Sequence, residues 1–169
     1  MKPQRTSHAQ QERLVFLCRV IKKEIQHLQY SANNIFKDGF NEEQVKKITH
    51  DDAFAEQVEA FTSRFCRLQD TIGDKLLPAW LSILGEKKAV AIDNLDKAES
   101  MGILSSTEQW LTLRQLRNQM VHEYIEDLAI FADALHTAYQ HIDFIIAVAE
   151  AIMTDLVHRA IIDQATLPQ

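Results

Sequence analysis

Apolar residues recur along this chain in alternating steps of four and three, the spacing that keeps one face of a helix dry. The first run is Leu14, Cys18, Ile21, Ile25, Leu28, Ala32 and Ile35. It makes a seam of about six turns, the pattern of a helix packed lengthwise in a bundle. Thr6 and Ser7 precede it as N-cap candidates, and Gln10, three residues after Ser7, stands in capping-box position. Asp38-Gly39 reads as the turn that ends this helix. Asn41, with Gln44 three residues on, predicts the cap of a short second helix.

A second seam repeats the rhythm through Phe54, Val58, Phe61, Phe65, Leu68 and Ile72, with Asp51 or Asp52 as its cap. Its phenylalanines mark it as central to the core, because aromatic rings bury the most area per residue. Pro78 lacks an N–H and crowds the preceding turn. Residues 77–84 therefore read as a bent continuation or a separate turn. The run Gly85-Glu86-Lys87-Lys88 is a loop, and a shorter helix follows over residues 89–100 with Gly102 as its C-cap. Ser105, Ser106 and Thr107 supply caps for the next helix. Beyond it, Leu128, Phe131, Leu135, Ala138, Ile142, Ile145, Ala149, Ile152 and Leu156 hold one stripe over four heptads, and residues 165–169 are expected to fray. These elements predict an all-α protein: an antiparallel helical bundle of four main helices plus short ones, a single domain over residues 1–169.

Composition sharpens that reading. Only four glycines and three prolines occur in 169 residues, too few turn formers for a many-stranded sheet. The net charge of −6 argues against a broadly basic nucleic-acid-binding surface, so any RNA site is a local basic patch on an acidic body. Cys18 and Cys66 sit inside helical apolar patterns without metal-ligand spacing and read as reduced core residues. The N-terminal stretch is polar, with no secretory signal, and charges interrupt every apolar run before membrane-spanning length. A cytoplasmic protein without membrane segments is expected.

The most informative stretch is residues 113–127, LRQLRNQMVHEYIED. Leu113, Leu116 and Met120 lie on one helix face, while Arg114, Asn118 and His122 form a second stripe at intervals of four. Arg117 and Tyr124, seven apart, stand nearly in line. On structural grounds alone this is a solvated helix end, where cations suit the macrodipole, Glu123 pairs with an arginine and Tyr124 is half-buried with a wet hydroxyl.

The same run, Arg117-Asn118, three residues, then His122-Glu123-Tyr124, resembles the R-x4-H-x-Y motif of the HEPN superfamily. More narrowly, it is similar to the toxins of HEPN/MNT toxin–antitoxin pairs, and the resemblance extends less sharply to residues 65–76 (FCRLQDTIGDKL) and to Trp110. It implies a homodimeric, metal-independent ribonuclease of a type VII-like system, with Arg117 and His122 catalytic at a composite site and Arg114 and Asn118 supporting them. It further implies an MNT-type nucleotidyltransferase antitoxin that silences the toxin by attaching AMP to Tyr124. Relatives with similar strings also suggest an alternative, a non-catalytic helper that binds a nucleotidyltransferase or its substrate.

The chemistry suits those residue types. In metal-free RNA cleavage the ribose 2′-OH attacks the neighbouring phosphate, so a base must take one proton and an acid must deliver another. Histidine titrates in the range that serves both tasks, and arginine holds a phosphate through paired N–H donors. One chain offers a single motif histidine, whereas a twofold dimer brings two copies of Arg117 and His122 to one cleft. On a regular helix five residues separate Arg117 and His122 by roughly 140°. Either the helix breaks just before His122, with Glu126-Asp127 capping the next one, or the two residues act from different subunits. Arg64 and Arg67 could extend the phosphate surface with Asp70 orienting a motif arginine, or Arg67 and Asp70 could make an ordinary intrahelical pair, and the two readings stay open. The doublets Lys22-Lys23, Lys46-Lys47 and Lys87-Lys88 read as solvated faces. No Gly-rich phosphate loop, H-E-x-x-H, C-x2-C or G-x-S-x-G string occurs, and no cofactor or metal is implied.

Overall fold

The structure, a computed structural model, describes residues 6–169, apart from the side chains of residues 123–125. Among the described residues the chain is an all-α helical bundle without strands. Its helices are α1 (His8–Phe36), α2 (Glu42–Lys47), α3 (Asp52–Asp70), α4 (Leu77–Ile83), α5 (Ala91–Ser100), α6 (Thr107–Glu126), α7 (Leu128–Gln140) and α8 (Ile142–His158). A π-helical segment, Thr71–Leu76, joins α3 to α4, and a 3-10 turn, Gln164–Thr166, lies near the C-terminus.

The local signals act where their spacing places them. Ser7 N–H donates to Gln10 Oε1 (3.0 Å) while Gln10 N–H donates to Ser7 Oγ (3.2 Å), a reciprocal capping box at the start of α1. Asn41 Oδ1 accepts from Glu43 and Gln44 N–H, and Asp51 Oδ1 accepts from Phe54 N–H at 3.0 Å. That last bond, a backbone donor facing the carboxylate, holds Asp51 below the ordinary carboxylate range, with Lys47 adding to the effect.

The chain forms two compact units. The first comprises the chain up to Lys23, Asp70–Thr107 and Ile145–Gln169. Its core gathers Leu14, Leu17, Cys18 and Ile21 of α1, Trp80 and Leu81 of α4, Leu95 and Ala98 of α5, and Ile145, Ala149, Ile152 and Leu156 of α8. The fully buried Trp80 donates its indole N–H to Asp155 Oδ2 at 2.8 Å, and Arg159 Nε donates to the same oxygen at 2.7 Å. An indole buried without an acceptor forfeits its hydration, a cost that Asp155 spares Trp80.

Pro78 does not end its helix. Over Thr71–Leu76 the backbone widens, and the Leu77 N–H reaches back five residues to the Ile72 carbonyl. The wider turn makes room for a proline ring that would press on the carbonyl four residues earlier in a regular helix. The C-terminal residues also depart from expectation. Arg19 Nε donates to the Thr166 carbonyl (3.1 Å) and Lys22 Nζ to the Pro168 carbonyl (2.7 Å), while Leu167 is buried. The tail docks on α1 because two cations and an apolar side chain satisfy it there.

The second unit comprises Glu24–Gln69 and Glu108–Phe144. Here the predicted seam residues Phe54, Val58, Phe61, Phe65 and Leu68 of α3 are all buried, facing Leu28, Ala32 and Ile35 of α1, Trp110 and Leu113 of α6, and Phe131, Leu135 and Ala138 of α7. Phe36 is the hub of an aromatic cluster, stacked on Tyr139 (centroids 4.1 Å) and edge-on to Phe61 (5.3 Å). Arg64 Nη1 binds the His27 carbonyl (3.1 Å) and the buried Ser31 Oγ (2.5 Å), which assigns that arginine a structural bond between α3 and α1.

The last apolar stripe is continuous, yet the helix beneath it is not. At His141 (φ −112°, ψ 12°) α7 ends and α8 begins one residue later. The imidazole Nδ1 lies 2.7 Å from the Thr137 carbonyl, the acceptor that the His141 N–H would take in an unbroken helix; that N–H bonds Ala138 instead. A side chain has replaced a backbone donor, and the turn tightens.

Candidate functional site

The motif residues lie on α6. Trp110 and Leu113 are buried in the second unit and Met120 follows on the same face, so these three anchor the helix. Gln69, itself buried, donates from Nε2 to the Trp110 carbonyl at 3.0 Å and adds a polar tie to α3. The register set by those anchors turns Arg117, Asn118 and His122 to solvent and leaves Arg114 half-buried.

The helix runs unbroken from Thr107 to Glu126. Of the two alternatives, the interruption before His122 does not occur; the break comes at Asp127, whose Oδ1 accepts from Ala129 and Ile130 N–H (3.0 and 3.1 Å) and caps α7. Asp127 takes the capping role foreseen for that position. With a regular helix between them, Arg117 and His122 diverge by roughly 140° about the axis. One chain thus presents both groups to solvent without aiming them at a common point. Arg114, Asn118 and His122 do share a face, at successive offsets of about 40°. The side chain of Tyr124, the predicted modification site, lies outside the described residues.

Two exposed apolar residues close to this stretch in the chain were not part of the motif. Val121, 54% exposed, sits on α6 directly before His122, and Ile130, 42% exposed, lies in the first turn of α7. Val121 was detectable in principle, as a β-branched residue off the Leu113–Leu116–Met120 stripe. Ile130 was not, because it belongs to a helix whose apolar pattern already looked satisfied.

The remaining candidates do other work. Lys47 pairs with Asp51 (3.7 Å) and stands over the Phe54 ring (4.8 Å), and Lys22 is committed to the C-terminal tail. Arg67 Nη2 makes a long bond to Ser63 Oγ (3.4 Å). No group of three or more His, Cys, Asp or Glu suited to a metal ion occurs among the described residues. No helix among them is long and apolar enough to cross a membrane. No family model, curated protein or solved structure matches this chain.

Proposed function

We propose that the chain is a cytoplasmic, homodimeric, metal-independent endoribonuclease of the HEPN type, held in check by a nucleotidyltransferase partner that attaches AMP to Tyr124. The observation that carries the reading is the divergence of Arg117 and His122 on an unbroken, solvent-facing helix. Residues that act on one phosphate but cannot converge within a chain call for a second copy, and exposed Val121 and Ile130 offer apolar area for that copy to cover. In the dimer, one His122 removes the 2′-OH proton and the other protonates the departing 5′ oxygen, while Arg117 neutralises the phosphate. Cleavage then yields a 2′,3′-cyclic phosphate and a 5′-hydroxyl.

The test is direct. Purified wild-type protein should cut single-stranded RNA in EDTA and leave the cyclic phosphate. Arg117→Ala and His122→Ala should each lower the rate by at least about a hundredfold, the usual worth of an acid–base group. Melting should stay nearly unchanged, since both residues are exposed. Undiminished cleavage by either variant removes that residue from the mechanism. Absence of cleavage by the wild type favours the non-catalytic helper. Tyr124→Phe should retain cleavage yet escape silencing by the partner and ATP, whereas wild type gains about 329 Da per AMP, a phosphodiester whose charge opposes RNA entry. AMP found on another residue would remove Tyr124 from the regulation.

A further inference from the structure

A groove of about 490 Å³ opens in the first unit, away in sequence from every motif residue. Its floor is the π-helical segment, through Gly73, Asp74 and Lys75, followed by Pro78 and Ala79. The loop from Glu86 to Ala89 and the first turns of α5 form the opposite wall, and Arg13 of α1 reaches in from a third segment. Arg13, Lys75, Lys87 and Lys88, remote from one another in the chain, therefore face a single space.

The charge balance there departs from that of the protein. Four cations meet two carboxylates, Asp74 and Glu86, and Glu86 is already paired with Lys97 at 3.1 Å. Arg13, Lys75, Lys87 and Lys88 form no ion pair among the described residues. On a chain of net charge −6 the groove is thus a local positive patch, the kind of surface that draws anionic ligands out of solution. Pro78, Ala79, Leu81 and Ala91 supply an apolar side to the same groove, and the volume falls within the span of small-molecule sites.

We propose that this groove binds a nucleotide-sized phosphorylated ligand, its phosphates held by Lys75, Lys87, Lys88 and Arg13 and its less polar part lying on Pro78 and Ala79. The two halves of the lining match the two halves of such a molecule: point charges for phosphate oxygens, small apolar side chains for a flat or hydrophobic body. The π-helix contributes by widening the floor. A regular α-helix through Thr71–Leu76 would carry Lys75 and Pro78 at different angles.

Titration calorimetry on the full-length His122→Ala protein, which keeps nuclease chemistry out of the readout, tests this with ATP as probe. Saturable one-to-one binding below about 1 mM is expected, with tripolyphosphate competing and adenosine alone failing to compete. The triple variant Lys75→Ala/Lys87→Ala/Lys88→Ala should weaken ATP binding by about tenfold or more, since charge-assisted bonds are the strong ones. Ser82→Trp, which fills the groove without altering its charge, should weaken it too. Lys37→Ala/Lys46→Ala, exposed cations of the second unit, should leave it unchanged. No saturable binding, equal loss in the Lys37/Lys46 control, or a triple variant that binds like its parent would each overturn the proposal. So would competition by adenosine but not by tripolyphosphate.

Discussion

Single side chains make the stability of this fold depend on pH from opposite sides. Asp51 and Glu99 are carboxylates held low by backbone donors, Asp51 by the Phe54 N–H and Glu99 by the Thr107 N–H at 2.8 Å. A depressed carboxylate lends stability above its unfolded pKa and loses it as the pH falls through the folded value, so these caps weaken in acid. Cys18 acts in the other direction. Burial pushes its thiol up to about 11, against a smaller downward pull from Lys22. A raised pKa stabilises fully below the unfolded value of 9.0, and that contribution drains away as the pH climbs towards 11. Urea midpoints measured from pH 8 to 11 should therefore fall more steeply for the wild type than for Cys18→Ala. The native thiol should also resist alkylation at pH 8, because the thiolate is the reactive form and Cys18 is fully buried. Parallel pH curves for the two proteins would contradict this account.

At the scale of elements, the helix ends show what a sequence can and cannot announce. Gly85 (φ +83°) and Gly102 (φ +74°) close α4 and α5 in the same way: each N–H bonds three residues back and the next N–H bonds five back. Alpha 8 ends identically, with Ala160 N–H to the Val157 carbonyl and Ile161 N–H to Leu156, but its left-handed residue is an alanine (φ 56°). A Cβ in that conformation costs about 1 kcal/mol. Ala160→Gly should therefore raise the melting temperature by up to a few degrees, partly offset by the looser unfolded chain; calorimetry showing a clear decrease would mean Ala160 packs more than it strains. Capping signals such as Ser7 with Gln10, or Asn41 with Gln44, were legible because both groups lie within one turn. So was the α3 seam, since burial follows period. Three features were not. The His141 break lies under an uninterrupted apolar stripe, the π-helix is displaced upstream of the proline it accommodates, and the docked tail depends on Arg19 and Lys22, more than 140 residues away in the chain. The site divides similarly: the exposed face of α6 followed from Leu113 and Met120, whereas its continuity past His122 depended on where Asp127 caps.

For the whole molecule, the continuity of α6 turns assembly into a kinetic question. If one cleft needs His122 from each of two chains, a mixed dimer of wild type and His122→Ala holds half the acid–base pair and is inactive. Random pairing in an equimolar mixture leaves about one quarter of the dimers fully wild type. Were each chain a complete enzyme, half of the sites would survive. Subunits co-refolded from urea at a one-to-one ratio should thus retain about a quarter of the activity of the same total amount of wild type. Val121→Lys offers an independent handle. It places a charge at an exposed apolar residue beside His122 without touching the acid or the base, so a dimer that covers Val121 should dissociate and lose cleavage while each chain stays folded. Light scattering and the cleavage assay must move together for that variant: a monomer that still cuts RNA, or a mixture that keeps half its activity, would mean that Arg117 and His122 of one chain act without a twin.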